Sequence, residues 1–223
     1  MFAHKDSIAL LVLLLSLTPG IAGGAPTDIK WTEEVKLHDG KIIQIKRRTE
    51  LGSPNILAQT RGHPRYHELC YAPMGIRWMS KPEYKPEAFD ILNGKAYVRV
   101  PLRGCSSCMH HGYPETNTLY FAWDGRLWNK IAEREMPEQV RFNLLMKSNI
   151  DDDGSRDARG LITLADKDER DGGLYYGLRR TGAKGISELP DVRDYCRKCK
   201  GIPTTTTSTA EVFMPSDKSG CSW

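Results

Sequence analysis

No apolar run in the sequence approaches the roughly 20 residues that a bilayer-spanning helix requires. The nearest candidate, Ile8–Leu17 (IALLVLLLSL), has ten. Basic residues are not gathered on one tail or stripe either. A net charge of +4 is spread over many short stretches, of which Lys46-Arg47-Arg48 and Arg197-Lys198 come closest to a cluster. That pattern describes a solvated rim, and no nucleic-acid partner is expected from it. The signatures of familiar catalysts are missing too: there is no Gly-x-Ser-x-Gly, no His-Glu-x-x-His and no glycine-rich phosphate loop. What the chain does hold is apolar material for an ordinary core, 39% of its residues, and six cysteines.

The ten-residue run follows a weakly basic start, His4-Lys5, and is broken by Pro19-Gly20. The small residues of GIAGGAP come next. This is the layout of a secretory signal peptide, and Gly20 and Ala22 at the small-residue subsites predict cleavage after Ala22, with Gly24 fitting nearly as well. The expected organisation is a signal peptide over 1–22, one globular β-rich domain over 23–200, and a Thr-rich tail or edge strand over 201–223. No cysteine lies near the cleavage region to carry a lipid. The expected location is therefore periplasmic or secreted, with a mature chain that does not span a membrane.

Three stretches alternate apolar residues around a glycine turn. EEVKLHDGKIIQIKRR places Val35 and Leu37 before His38-Asp39-Gly40, with Ile43 and Ile45 after it. FDILNGKAYVRV turns at Asn93-Gly94, and LYFAWDGRLWNKI turns at Asp124-Gly125 between Trp123 and Trp128. Asn-Gly and Asp-Gly supply the positive φ of tight hairpins. The fold class expected is mainly β, an antiparallel meander or sandwich, with one or two short helices in the C-terminal third; α+β is the alternative. The Pro-spotted stretch Gly52–Pro86 reads as loop with one or two short strands near Ile76–Trp78. Leu164–Arg170 reads as a short helix, Leu174–Leu178 as a strand, and LPDVRDYCRKCKG as a short helix with Pro190 at its first position.

Residues Trp31, Glu33, Glu34, Val35, Leu37, Asp39 and Gly40, then Tyr120, Phe121, Gly125, Trp128, Ile131, Met136 and Pro137, together with FDILNGKAYV, carry a resemblance. The chain resembles a family of small exported proteobacterial proteins with a Trp-x-Glu-Glu-Val-x-Leu-x-Asp-Gly opening. The match covers roughly residues 31–48 and 89–145. It implies an envelope location and no particular activity. The cysteine-rich segments are not carried over from it.

CSSCMHH, residues 105–111, is the densest set of reactive side chains. Covalent haem needs His directly after Cys-x-x-Cys, and Met109 stands there instead. A redox thiol needs a helix starting at the first cysteine, which Gly112 and Pro114 cut short. Metal binding is the sharper alternative. The pairs Cys105/Cys108 and Cys196/Cys199 have the spacing of a tetrathiolate zinc site; His110 or His111 could complete a mixed site, and Met109 suits Cu(I). The leading expectation is structural: Cys70, Cys105, Cys108, Cys196, Cys199 and Cys221 oxidise in an exporting compartment, linking separate segments, and no cofactor is expected. Which cysteine joins which, among 15 connectivities, stays open.

Two further constellations remain. Asn149, Asp151, Asp153 and Asp157 fall at positions 1, 3, 5 and 9 of a calcium loop, but position 12 is Gly160 where a Glu belongs, so a solvated turn is expected. Glu33 and Glu34 point to opposite faces of a strand and cannot share one cleft. Trp31, Trp78, Trp123 and Trp128 could line a sugar or peptide groove but are expected in the core. The function these readings favour is a non-catalytic, disulfide-stabilised exported module that binds a protein or envelope component. A periplasmic Zn or Cu binder, or a thiol-redox protein, is the alternative.

Overall fold

The structure is a computed structural model and describes residues 28–52, 64–146, 160–170 and 194–201. It is mainly β, as the alternation predicts. Strands β1 (Asp28–Lys36), β2 (Ile42–Leu51), β3 (Pro64–Tyr71), β4 (Ile76–Ser80) and β9 (Leu161–Ile162) form one sheet, in the order β4-β3-β2-β1-β9. Strands β5 (Ala88–Leu92), β6 (Lys95–Pro101), β7 (Thr118–Trp123) and β8 (Trp128–Ile131) form the second, in sequence order. Every pairing is antiparallel except β1 with β9, which is parallel. Three short helices complete the described fold: α1 (Cys105–His110), α2 (Leu164–Arg170) and α3 (Tyr195–Lys198). Among the described residues no helix is long and apolar enough to cross a membrane.

All three glycine turns close hairpins. The tightest is Asn93-Gly94, where both residues take positive φ (50° and 74°) and Leu92 faces Lys95. That is the backbone a two-residue hairpin demands, because its twist matches the strands it joins. The β7–β8 turn is held differently. The Asp124 carboxylate accepts from the backbone N–H groups of Arg126 and Leu127 and from the Asn129 side chain.

The inward faces of the two sheets meet in one core. Val35, Ile43, Ile45, Leu69, Ile76 and Trp78 come from the first sheet; Phe89, Val98, Val100, Leu119 and Phe121 come from the second. Trp78 is fully buried and stands edge-on to both Phe121 and Trp128, with ring centroids 5.0 and 5.4 Å apart. The Trp128 indole N–H donates to the Arg77 carbonyl at 2.8 Å. Trp31 belongs to a second buried cluster with Leu145 and Ile162, and Trp123 is half-buried. Trp78 and Trp128 thus pack between the two sheets, and Trp31 is buried in a separate cluster.

The stretch Gly52–Pro86 departs from its expected reading. Its residues 64–80 form a hairpin whose first strand, β3, has eight residues. Four polar side chains hide its alternation. Four consecutive residues, His67 to Cys70, are buried, so both faces of β3 are covered there and its polar groups need partners. Glu68 receives Arg77 Nε at 2.6 Å, and His67 Nδ1 lies 3.0 Å from Thr49 Oγ1. Pro64 sits at the first position, where a missing N–H costs the ladder least. The helix expected at Leu164–Arg170 is present with those bounds. The expected strand at 174–178, the start of the CRKC helix at Pro190 and the Thr-rich tail lie outside the described residues.

Candidate functional site

The first sheet changes character along its length. Near the β1–β2 turn its inner face is apolar; toward the opposite end it carries Glu33, Arg47, Thr49, His67 and Ser80, all buried. Glu33 is the centre. Arg47 Nη1 reaches its Oε1 at 2.7 Å; Lys167 Nζ from α2 and the Leu145 N–H reach its Oε2 at 2.7 and 2.9 Å. All three charged side chains are essentially inaccessible. Burial pushes the Glu33 carboxyl up. The charges of Lys167 and Arg47, with the hydrogen bonds from Lys167 and Leu145, outweigh it and leave the carboxyl below its ordinary range. Glu34, on the other face, accepts the Leu164 N–H at 3.1 Å. The adjacent glutamates therefore both fasten α2 to β1, one from each face of the strand. Close by, His67 is held down to about 2, first by burial and then by the charges of Lys85 and Arg47, so its imidazole stays neutral.

The apolar end opens into a groove of about 700 Å³ where the β1–β2 turn, β5, the segment around Asn143 and α2 converge. His38 lines it. Its backbone N–H donates to Asp90 Oδ2 at 3.0 Å, and its ring Nδ1 lies 2.9 Å from Asp90 Oδ1. The two contacts to one carboxylate fix the orientation of the ring and leave Nε2 on the side away from Asp90. Asp90 is 1% exposed, whereas the His38 side chain is 27% exposed. Nε2 has no protein partner among the described residues. The wall opposite is built by Asn143. Its amide takes the Phe89 N–H and donates to the Phe89 and Lys36 carbonyls, tying 137–146 to both sheets. Lys36 and Arg141 bring two exposed positive charges to the rim, Glu138 brings one negative charge, and Leu37, Phe142 and Leu164 supply apolar surface. Neither Lys36 nor Arg141 has an ion-pair partner among the described residues. An oriented imidazole beside free cations and apolar walls can hold a small ligand that is anionic at one end.

The groove is not legible in the sequence. Asp90 is the available signal: a carboxylate between Phe89 and Ile91, in a strand that is otherwise apolar. Its partner His38 is 52 residues away and reads locally as a turn residue.

The two Cys-x-x-Cys pairs do converge, on helices of different segments. Cys105 is joined to Cys199 and Cys108 to Cys196, with Cα atoms 5.2 Å apart in both bridges. Cys108, Cys196 and Cys199 are buried in the main core. The Cys196 N–H donates to Asn117 Oδ1 at 2.8 Å, which seats α3. Cys70 is also disulfide-bonded, and no described cysteine is free; Cys221 lies outside the described residues. A helix does start at Cys105, and it is short as expected: it runs only to His110, with Gly112 just beyond it at φ 71°. With these sulfurs oxidised, no group of three or more His, Cys, Asp or Glu among the described residues is placed to hold a metal. His111 points elsewhere: its Nε2 lies 3.2 Å from the Tyr84 hydroxyl, and the two rings meet edge-on at 5.6 Å. The expected calcium-loop residues, Asn149 to Asp157, lie outside the described residues.

Comparison with known proteins returns no matching family model, no matching curated protein and no matching solved structure.

Proposed function

We propose that this protein is an exported, disulfide-stabilised binding module of the cell envelope or its surroundings, and that it takes its ligand in the His38–Asp90 groove. One observation carries the reading. A buried carboxylate fixes the orientation of the imidazole and leaves Nε2 without a protein partner among the described residues, beside a groove large enough for a small molecule or one partner side chain. The disulfides support an oxidising compartment. The apolar run ended by Pro19-Gly20 supports export, and so does the resemblance to exported proteobacterial proteins.

Phenyl phosphate is a suitable probe, since it joins an anion to an apolar ring. In a nuclear magnetic resonance titration it is expected to shift the His38 ring signals saturably. Arg141→Ala should weaken that binding at least tenfold, because Arg141 is exposed and its loss touches no core contact. No shift at His38, or equal binding by the variant, would remove the groove from the proposal. Export is tested separately. The chain recovered from exported material should begin at Gly23 or within two residues of it; an intact Met1 in that fraction would contradict export with cleavage.

A further inference from the structure

The two disulfides bring four sulfurs from distant segments to one place, and that placement has a second use. Cys105 and Cys108 are three apart on α1; Cys196 and Cys199 are three apart in the helical backbone of α3 and its C-cap. Side chains so spaced leave a helix on one face, with Cβ atoms about 5–6 Å apart. Across the pair, the bridged Cα atoms are 5.2 Å apart in both cases. The four cysteines thus occupy the corners of a quadrilateral about 5 Å on a side. Zinc in a tetrathiolate site bonds each sulfur at about 2.3 Å, which sets the sulfurs about 3.8 Å from one another. That spacing lies within reach of side chains hung on such a frame, without moving the helices apart.

From this we infer that the reduced protein carries a tetrathiolate zinc site made of Cys105, Cys108, Cys196 and Cys199. The oxidised and metal-bound forms are alternative locks on the same α1–α3 contact. Two features fit a metal and not merely four thiols. Each helix contributes a Cys-x-x-Cys knuckle, the unit from which structural zinc sites are assembled. A zinc tetrathiolate is also a dianion, and Arg103, Arg197, Lys198 and Lys200 lie within a few positions of the ligands in sequence. Lys200 Nζ lies 6.0 Å over the ring of Tyr113, the residue whose N–H closes α1 on the Cys108 carbonyl. His110, His111 and Met109 are not needed as ligands.

The chemistry balances with an external dithiol as reductant. Each disulfide takes two electrons and two protons, its S–S bond breaks, and the dithiol closes to its own disulfide. Zinc(II) then forms four Zn–S bonds and displaces the four thiol protons. Reoxidation runs the other way and releases the ion.

The test uses the full mature chain, reduced with dithiol, desalted without oxygen, and titrated with cobalt(II) and then zinc(II). One equivalent of cobalt should develop the strong visible absorption of tetrahedral thiolate coordination, and one equivalent of zinc should bleach it. Zinc should also restore the near-ultraviolet circular dichroism of the oxidised protein. Cys108→Ser is expected to weaken cobalt binding at least tenfold and change its spectrum. The double variant Cys70→Ser/Cys221→Ser should bind one equivalent as the parent does. Weak octahedral-type absorption would overturn the site. So would unchanged binding by Cys108→Ser, or tetrathiolate binding that leaves the native dichroism absent, which would mean that the metal collects a disordered chain.

Discussion

Glu33→Ala is expected to destabilise the folded protein by about 3–5 kcal/mol, a large share of the ~5–15 kcal/mol that holds a typical domain folded. The cost does not come from losing one side chain. Arg47 and Lys167 stay behind in a site that water does not reach, each without the carboxylate that offset its desolvation. The Leu145 N–H loses its acceptor as well. Urea unfolding of the variant measures this directly, and a loss under about 1 kcal/mol would show that water replaces the carboxylate. A second variant separates pairing from packing. Replacing Glu33, Arg47 and Lys167 together by Leu and Met removes the charges as a set and should recover most of the stability, since an apolar trio needs no partners.

Acid acts on the same interior in two stages. Unfolded His67 takes up a proton near pH 6.5, while the folded protein refuses one until about 2. Stability is therefore complete above about pH 6.5 and declines as the pH falls from there, by up to about 1.4 kcal/mol per pH unit. Glu33 has its folded value below the ordinary carboxylate range, so its contribution is complete above that range and is lost only at lower pH. The first stage should be largely absent in His67→Gln. A smaller remainder is expected from half-buried His111, whose value is held near 4 chiefly by burial.

The second large effect concerns the disulfides, and it is not additive. The bridges are nested: Cys105–Cys199 spans 94 positions and Cys108–Cys196 spans 88 inside it. With either one intact, the other closes only a small ring, the four residues of each Cys-x-x-Cys segment. Restriction of the unfolded chain then amounts to about 2–3 kcal/mol for that second closure, against about 4–5 kcal/mol for the first. Cys105→Ser/Cys199→Ser alone, or Cys108→Ser/Cys196→Ser alone, should cost about 2–3 kcal/mol, and removing both bridges about 7 kcal/mol. The sum for removing both exceeds twice the single loss, which is the signature to look for in thermal unfolding. Two equal, additive losses would mean that the bridges act through local packing and not through the long loop.

The hairpins, their turns and the α2 helix were legible in the sequence, because a two-residue period and an Asn-Gly or Asp-Gly turn are local properties of the chain. So was the cysteine-rich character of residues 105–111 and 196–199, and the need for Glu33 and Glu34 to face opposite ways. Strand β3 was not legible. Its polar residues suit a strand only because Arg77, Arg48 and Thr49 arrive from its neighbours. Register along β1 and β2 sets Glu33 opposite Ile45 and beside Arg47, and only α2, whose first residue lies 130 positions beyond Glu34, brings Lys167 to it. The His38–Asp90 pair and the Cys105–Cys199 and Cys108–Cys196 connections were decided by tertiary structure for the same reason. Each depends on which sheet faces which, a matter of long-range packing that no local pattern of side chains encodes.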